Sequence, residues 1–155
     1  MPLLRAALSW NFVLATAICA SLLAQLIKVL LNLFIFHRFI AERMWGAGGM
    51  PSSHSATVCA MVVATGRYCG VNSPLFAIAA VLSIIVMYDA MGVRYETGEQ
   101  AKVLNRMFTE WMDQGFDQFQ LPHGKKLKEM VGHTPIEVVT GAALGIVLGF
   151  AMPMV

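Results

Sequence analysis

Apolar positions in this chain come in long runs rather than in stripes. The first extends from about Trp10 to Phe36 and is interrupted only by Gln25, Lys28 and Asn32. A second, shorter run spans about Ser55 to Val71, with Arg67 near its far end. A third begins at Pro74 and reaches about Val93, and a fourth covers about Ile136 to Val155. Crossing the hydrocarbon core of a bilayer takes roughly 20 such residues in a helix. The pattern predicts an all-α, polytopic transmembrane bundle of about four spans, forming a single integral membrane domain over residues 1–155. The first run continues too long, and lacks a small-residue cleavage site before polar sequence, to read as a cleaved leader.

The long polar interruption, Arg94 to Thr134, separates the third run from the fourth. Within it the pattern changes. Leu104, Met107, Phe108, Trp111, Met112, Phe116 and Phe119 recur at helical spacing, and Lys102, Arg106, Glu110 and Asp113 fall largely elsewhere. This predicts an amphipathic helix over about Gly98 to Phe119, lying in the membrane interface or covering the end of the bundle.

Composition agrees with a membrane protein. The chain is 57% hydrophobic and 13% charged, whereas a soluble domain is about a quarter charged. A net charge of +2 gives no basis for nucleic-acid binding. Cys19, Cys59 and Cys69 lie in apolar runs without metal-ligand spacing and read as small hydrophobes. Four spans put both termini on one side. The opposite side then holds Arg38, Arg43, Arg94, Lys102, Arg106, Lys125, Lys126 and Lys128, against Arg5 and Arg67 on the first. The positive-inside rule makes the loaded side cytoplasmic, or stromal in an organelle. Trp10, Trp45 and Trp111 fall near predicted boundaries. Gly141, Gly145 and Gly149 form a small-residue face in the last span, suited to close helix approach within the chain or in a homo-oligomer.

Candidate chemistry gathers on the loaded side. Gly48-Gly49-Met50-Pro51-Ser52-Ser53-His54-Ser55 opens the second span, and Gly132-His133-Thr134-Pro135-Ile136-Glu137 opens the fourth. Topology therefore brings His54 and His133 to one water–lipid boundary. Lys28 lies about 12 Å inside that end of the first span at 1.5 Å per residue. A charge within a span faces a partner or a cavity. Ser52 and Ser53 precede a helix, where backbone N–H groups suit a phosphate or a serine simply caps. Thr134-Pro135-Ile136-Glu137 reads as a capping box. Arg94 is a natural phosphate clamp. Asp89, Glu96 and Glu99 suit ion pairing with Arg94, Lys28 or Lys102, or else Mg²⁺.

These residues carry a resemblance. Pro51-Ser52-Ser53-His54 resembles the Pro-Ser-Gly-His motif of the phosphatidic acid phosphatase type 2 superfamily, and His133-x3-Glu137 its final His-x3-Asp. With Asp89-Ala-Met-Gly-Val-Arg94 between them, nearly the whole chain is similar to the small divergent branch described as acid phosphatase/vanadium-dependent haloperoxidase-related membrane proteins. The resemblance implies His133 as nucleophile, His54 as general acid and Glu137 as the group orienting the nucleophile, with Lys/Arg side chains on the phosphoryl oxygens. The chain departs from the superfamily pattern in several places. Lys-x6-Arg-Pro is absent, since Ile35 stands at the spacing from Lys28. Leu127 stands six residues before His133 where an arginine is usual, Ser53 replaces the glycine and Glu137 the aspartate.

The combined expectation is a lipid-phosphate phosphatase or phosphotransferase acting on an isoprenoid or glycerolipid phosphomonoester. Catalysis would fall to His133, His54 and Glu137, and phosphate binding to Lys28, Ser52, Ser53 and Arg94. No metal or other cofactor is required. The expected partners are membrane lipids and the lipid substrate. The alternative is a non-catalytic module that binds an anionic headgroup or a partner protein; a metal-dependent phosphotransferase centred on Asp89, Glu96 and Glu99 is a third reading.

Overall fold

The computed structural model describes residues 11–36, 49–114, 126–129 and 131–154. Among these residues five helices follow one another: α1 Phe12–Phe36, α2 Ser53–Cys69, α3 Pro74–Met91, α4 Val93–Asp113 and α5 Pro135–Ala151. The all-α expectation holds, and each span predicted from the apolar runs finds a helix with ends shifted by a few residues.

Local sequence sets the helix starts. Ser52 caps α2 by accepting the Ser55 N–H, and Ser73 caps α3 by accepting the Phe76 N–H, with Pro74 just inside. Pro135 likewise opens α5, where the Glu137 carboxylate accepts the Thr134 N–H at 3.0 Å. Gly92 alone separates α3 from α4.

α2 is the central helix, packed against α5, α1 and α3. Its contacts are made by the smallest side chains. Ala20 and Ala24 of α1 meet Ala56 and Ala60 of α2, with Leu144 and Leu148 of α5 alongside. A Cβ at Gly141 would collide with the Ser52 carbonyl oxygen, and one at Gly145 with that of Ala56. The glycine face is thus occupied by α2 of the same chain; self-association through Gly141, Gly145 and Gly149 would require that seam to open.

Large apolar side chains point the other way. Leu14, Ile18, Leu22 and Leu26 on α1, Leu75, Ile78, Val81, Leu82, Ile84 and Ile85 on α3, and Ile146, Val147 and Phe150 on α5 are all exposed. Small residues inside and large hydrocarbon outside is the reverse of a water-soluble core and the arrangement lipid requires. α1 over Phe12–Phe34 and the helical segment beginning at Pro74 are each long and apolar enough to cross a bilayer. α5 is apolar but has 17 residues, about 25 Å at 1.5 Å per residue. The protein is a membrane protein.

α4 begins earlier than its apolar stripe suggests, at Val93 rather than about Gly98, and its described part ends at Asp113. Phe116 and Phe119 lie outside the described residues. The buried positions are Gly98, Ala101 and Asn105, while Leu104, Met107 and Met112 are exposed. The face turned to the protein is small and polar because Leu127, Glu129 and Val131 lie against it. Asn105 Nδ2 donates to the Leu127 carbonyl at 2.9 Å, and Leu127 N–H returns to Asn105 Oδ1 at 2.8 Å.

Candidate functional site

Four elements converge at one end of the bundle. His54 stands in the first turn of α2, Asp89 in the last turn of α3 and Arg94 in the first turn of α4; His133 immediately precedes the cap of α5. The backbone of the His133 segment is locked in place. His133 N–H donates to the Ala90 carbonyl at 3.0 Å. Gly132 presses on the backbone of Arg94 and Tyr95 so closely that any Cβ would overlap it. One loop therefore sets the register between His133 and Arg94. Sequence reasoning passed over Gly132; its only signal was a glycine beside a candidate histidine.

The two imidazoles meet nearly at right angles, with ring centroids 5.8 Å apart and an interplanar angle of 82°. A cavity of about 260 Å³ opens beside them, bounded by His54 and His133, by Asp89 and Arg94, and by Ile85, Val86 and Ala90 of α3. Arg94 Nε donates to Asp89 Oδ2 at 2.6 Å, and both side chains remain about half exposed. The other side of the guanidinium is free of any described ion pair.

Lys28 approaches from α1 and is not part of the cavity wall. It is 1% exposed. Its stem lies along Gly49, whose φ of +89° suits glycine and whose missing Cβ would stand 3.3 Å from Lys28 Cδ. His133 is 2% exposed. Among the described residues, the buried side-chain nitrogen and oxygen atoms without a hydrogen-bond partner are Lys28 Nζ, His133 Nδ1 and Nε2, and Gln25 Oε1. Gln25 lies one turn before Lys28 and donates through Nε2 to Ser53 Oγ at 3.4 Å. Buried polar atoms are nearly always paired. Here the unpaired ones cluster on three residues, two of them a cation and an imidazole. Burial, followed by the positive charges of Lys28, His54 and Arg94, pushes the His133 pKa down to about 4. The imidazole is neutral at pH 7, with one nitrogen carrying a lone pair.

The remaining sequence candidates serve mainly the scaffold in this structure. Ser52 is fully buried and its Oγ accepts from the Ser55 N–H and stands 3.1 Å from Ser55 Oγ. Ser53 takes the Gln25 bond, and neither serine lines the cavity. The Glu137 carboxylate accepts the Thr134 N–H, so it anchors the helix start next to His133; the imidazole donates no hydrogen bond to it. Glu137 is still close enough for its charge to act on Lys28. Asp89 pairs with Arg94 and Glu99 with Lys102, the latter at 2.6 Å. No three His, Cys, Asp or Glu side chains among the described residues are grouped to hold an ion.

An all-helical membrane protein with two histidines and two cationic side chains at one end of its bundle is the class this geometry defines. The chain belongs to the Divergent PAP2 family, matching it over residues 9–148. It is also similar to the uncharacterized membrane protein YuiD of Bacillus subtilis (strain 168), 39% identical over 144 residues that cover 89% of this chain and 91% of that protein. No solved structure matches the chain.

Proposed function

We propose that the protein is a lipid-phosphate phosphatase or phosphotransferase whose site, at the cytoplasmic or stromal rim of four membrane-crossing helices, takes a phosphomonoester of an isoprenoid or glycerolipid. The observation that carries this reading is the buried, unpaired Lys28 ammonium beside an unpaired, neutral His133 imidazole. A buried ammonium without a hydrogen-bond acceptor is costly, and Glu137 reaches Lys28 through its charge alone. A phosphoryl group supplies the acceptor oxygens Lys28 lacks and an electrophile for the His133 lone pair. The facing is inferred from Arg94, Lys102, Arg106, Lys126 and Lys128, which accompany the site end of the chain's topology.

In the first step the His133 Nε2 lone pair attacks phosphorus in line with the ester oxygen. The P–N bond forms, the P–O bond breaks, and His54, protonated, gives its proton to the departing alkoxide. In the second step water attacks phosphorus while His54 takes a proton from it, the P–N bond breaks, and inorganic phosphate and neutral His133 are regenerated. Transfer replaces water with a hydroxyl acceptor. Lys28 and Arg94 offset charge on the phosphoryl oxygens. Glu137 contributes by holding the start of α5 and, with rotation of its carboxylate, by orienting His133. His133 stays neutral down to about pH 4, so activity is expected on the acid side of neutrality above about pH 4, falling on the alkaline side as His54 loses its proton.

The test is phosphate release by purified protein from a panel of lipid phosphates, with and without EDTA and orthovanadate. Release should resist EDTA, yield to vanadate and vanish in His133→Ala, while His54→Ala should lose about 100- to 10,000-fold. Unchanged release by His133→Ala refutes the assignment.

A second reading is a non-catalytic module that binds an anionic headgroup. The engagement of Glu137 in the helix cap, away from His133, favours it. It expects saturable lipid binding without phosphate release, and normal binding by His54→Ala.

A further inference from the structure

The cavity beside the two histidines has a polar end and an apolar end, and both lie along α3. Asp89 belongs to the polar end. Ile85, one turn deeper, belongs to the apolar end and is 58% exposed. A cavity wall with that much exposed apolar side chain suits an opening towards the surface where lipid would lie. Its volume of about 260 Å³ falls just below the roughly 300–1,000 Å³ of pockets that enclose a small ligand. A phosphate and the first atoms of a chain fit inside; the remainder of an amphiphile has to continue outside.

A continuation exists. Ile78, Leu82, Ile85 and Asp89 are spaced by four, three and four residues, which puts them on one face of the helix. Ile78 is 64% and Leu82 45% exposed. Ile78 to Ile85 form an apolar track about 10 Å long, at 1.5 Å per residue, and Asp89 at the cavity's charged rim follows one turn on. We infer that Ile78, Leu82 and Ile85 are the tail subsite of this protein, holding the apolar chain of a phosphate-bearing amphiphile that stays in the bilayer while its head enters sideways past Ile85. This rests on the proposal that the cavity takes a phosphate. Ile85 would set specificity, because it is the side chain common to the cavity wall and the track.

Photo-cross-linking tests it directly in the full-length protein, reconstituted in phosphatidylcholine nanodiscs. The probe is a long-chain alkyl phosphate with a diazirine in mid-chain; the control is the same chain ending in an alcohol. The phosphate probe should label the 78–85 segment several-fold more than the equally lipid-exposed Ile146–Phe150 face of α5. Orthovanadate should remove that excess, and the alcohol should label both faces alike. Ile85→Trp, which narrows the opening, should raise KM for a long-chain phosphomonoester several-fold more than for a short water-soluble one. Equal labelling of α3 and α5 by the phosphate probe, or equal effects of Ile85→Trp on both substrates, overturns the inference. Should wild-type protein release phosphate from neither substrate, the catalytic proposal fails; the cross-linking then decides the tail subsite by itself, its excess on α3 supporting the subsite and its lack refuting it.

Discussion

Two cations inside this bundle have opposite surroundings. At one end, Arg67 near the C-terminus of α2 donates through Nη1 to the carbonyls of Gly149, Phe150 and Met152 at 2.6, 3.1 and 2.8 Å, and its guanidinium lies 5.6 Å from the centre of the Phe12 ring. Those carbonyls close α5, where a helix has acceptors without internal partners and the negative end of its dipole. At the other end, Lys28 is more deeply buried and its ammonium meets no acceptor among the described residues. A cation whose bonds are complete within the fold is part of the scaffold. One whose bonds are left open, beside a histidine with the same deficit, is where the proposed function puts the phosphate.

The sharpest way to break this contrast is to remove each charge while keeping the side chain's length. Lys28→Met should lower phosphate release by about 100-fold or more, the range seen when one group stabilising transition-state charge is lost. It should leave the melting temperature unchanged or raised, because it takes away a buried, unpaired charge. A melting temperature that collapses in Lys28→Met would place Lys28 with Arg67 as scaffold.

Next in size is the seam that holds the two ends in register. Gly145→Val drives its Cβ into the Ala56 backbone and should cost about 1–3 kcal/mol or more, seen as a lower melting temperature in detergent. Arg67→Met leaves acceptors at the end of α5 unpaired and should cost about 1–3 kcal/mol. Phosphate release per folded molecule should be unaffected by it, the reverse of Lys28→Met.

A further expected effect is that of pH on stability. The His133 pKa lies at about 4 in the folded protein and near 6.5 in an unfolded chain. Between those values the unfolded chain binds the extra proton and the folded one does not. Stability should therefore fall as pH drops from about 6.5 to 4 and be level above, as far as this group is concerned. Thermal melts of wild type and His133→Gln across that interval read the difference; a wild-type slope equal to that of the variant would remove His133 as its source.

The helices were legible in sequence because long apolar runs ended at strong punctuation: Ser52, Ser73-Pro74 and Thr134-Pro135 all stand where caps belong. The convergence of His54, His133 and Arg94 was legible too, since successive helices running up and down put alternate ends on one side. Other features were hidden by physics that a pattern does not carry. Ser52 and Ser53 are residue types that suit a phosphate and a helix cap equally, Glu137 suits a helix cap and the orienting of a histidine equally, and spacing alone does not choose. The apolar residues of α4 suggested a helix for the membrane interface or the bundle end without showing its protein-facing side; Gly98, Ala101 and Asn105 form it, because the contact is with the backbone of Leu127, Glu129 and Val131 and backbone asks for small or hydrogen-bonding partners. Lys28 was visible as a charge in a span; that its ammonium would be left without an acceptor depends on the approach of Gly49 and His133, which are distant in sequence.

The central claim is that Lys28 and His133 share one phosphate-like anion. Calorimetric titration of the purified protein with orthovanadate tests it most directly. One saturable site per chain is expected in wild type and in Arg67→Met, with binding lost in both Lys28→Met and His133→Ala. No saturable binding in wild type, or binding of equal strength in Lys28→Met, would contradict it.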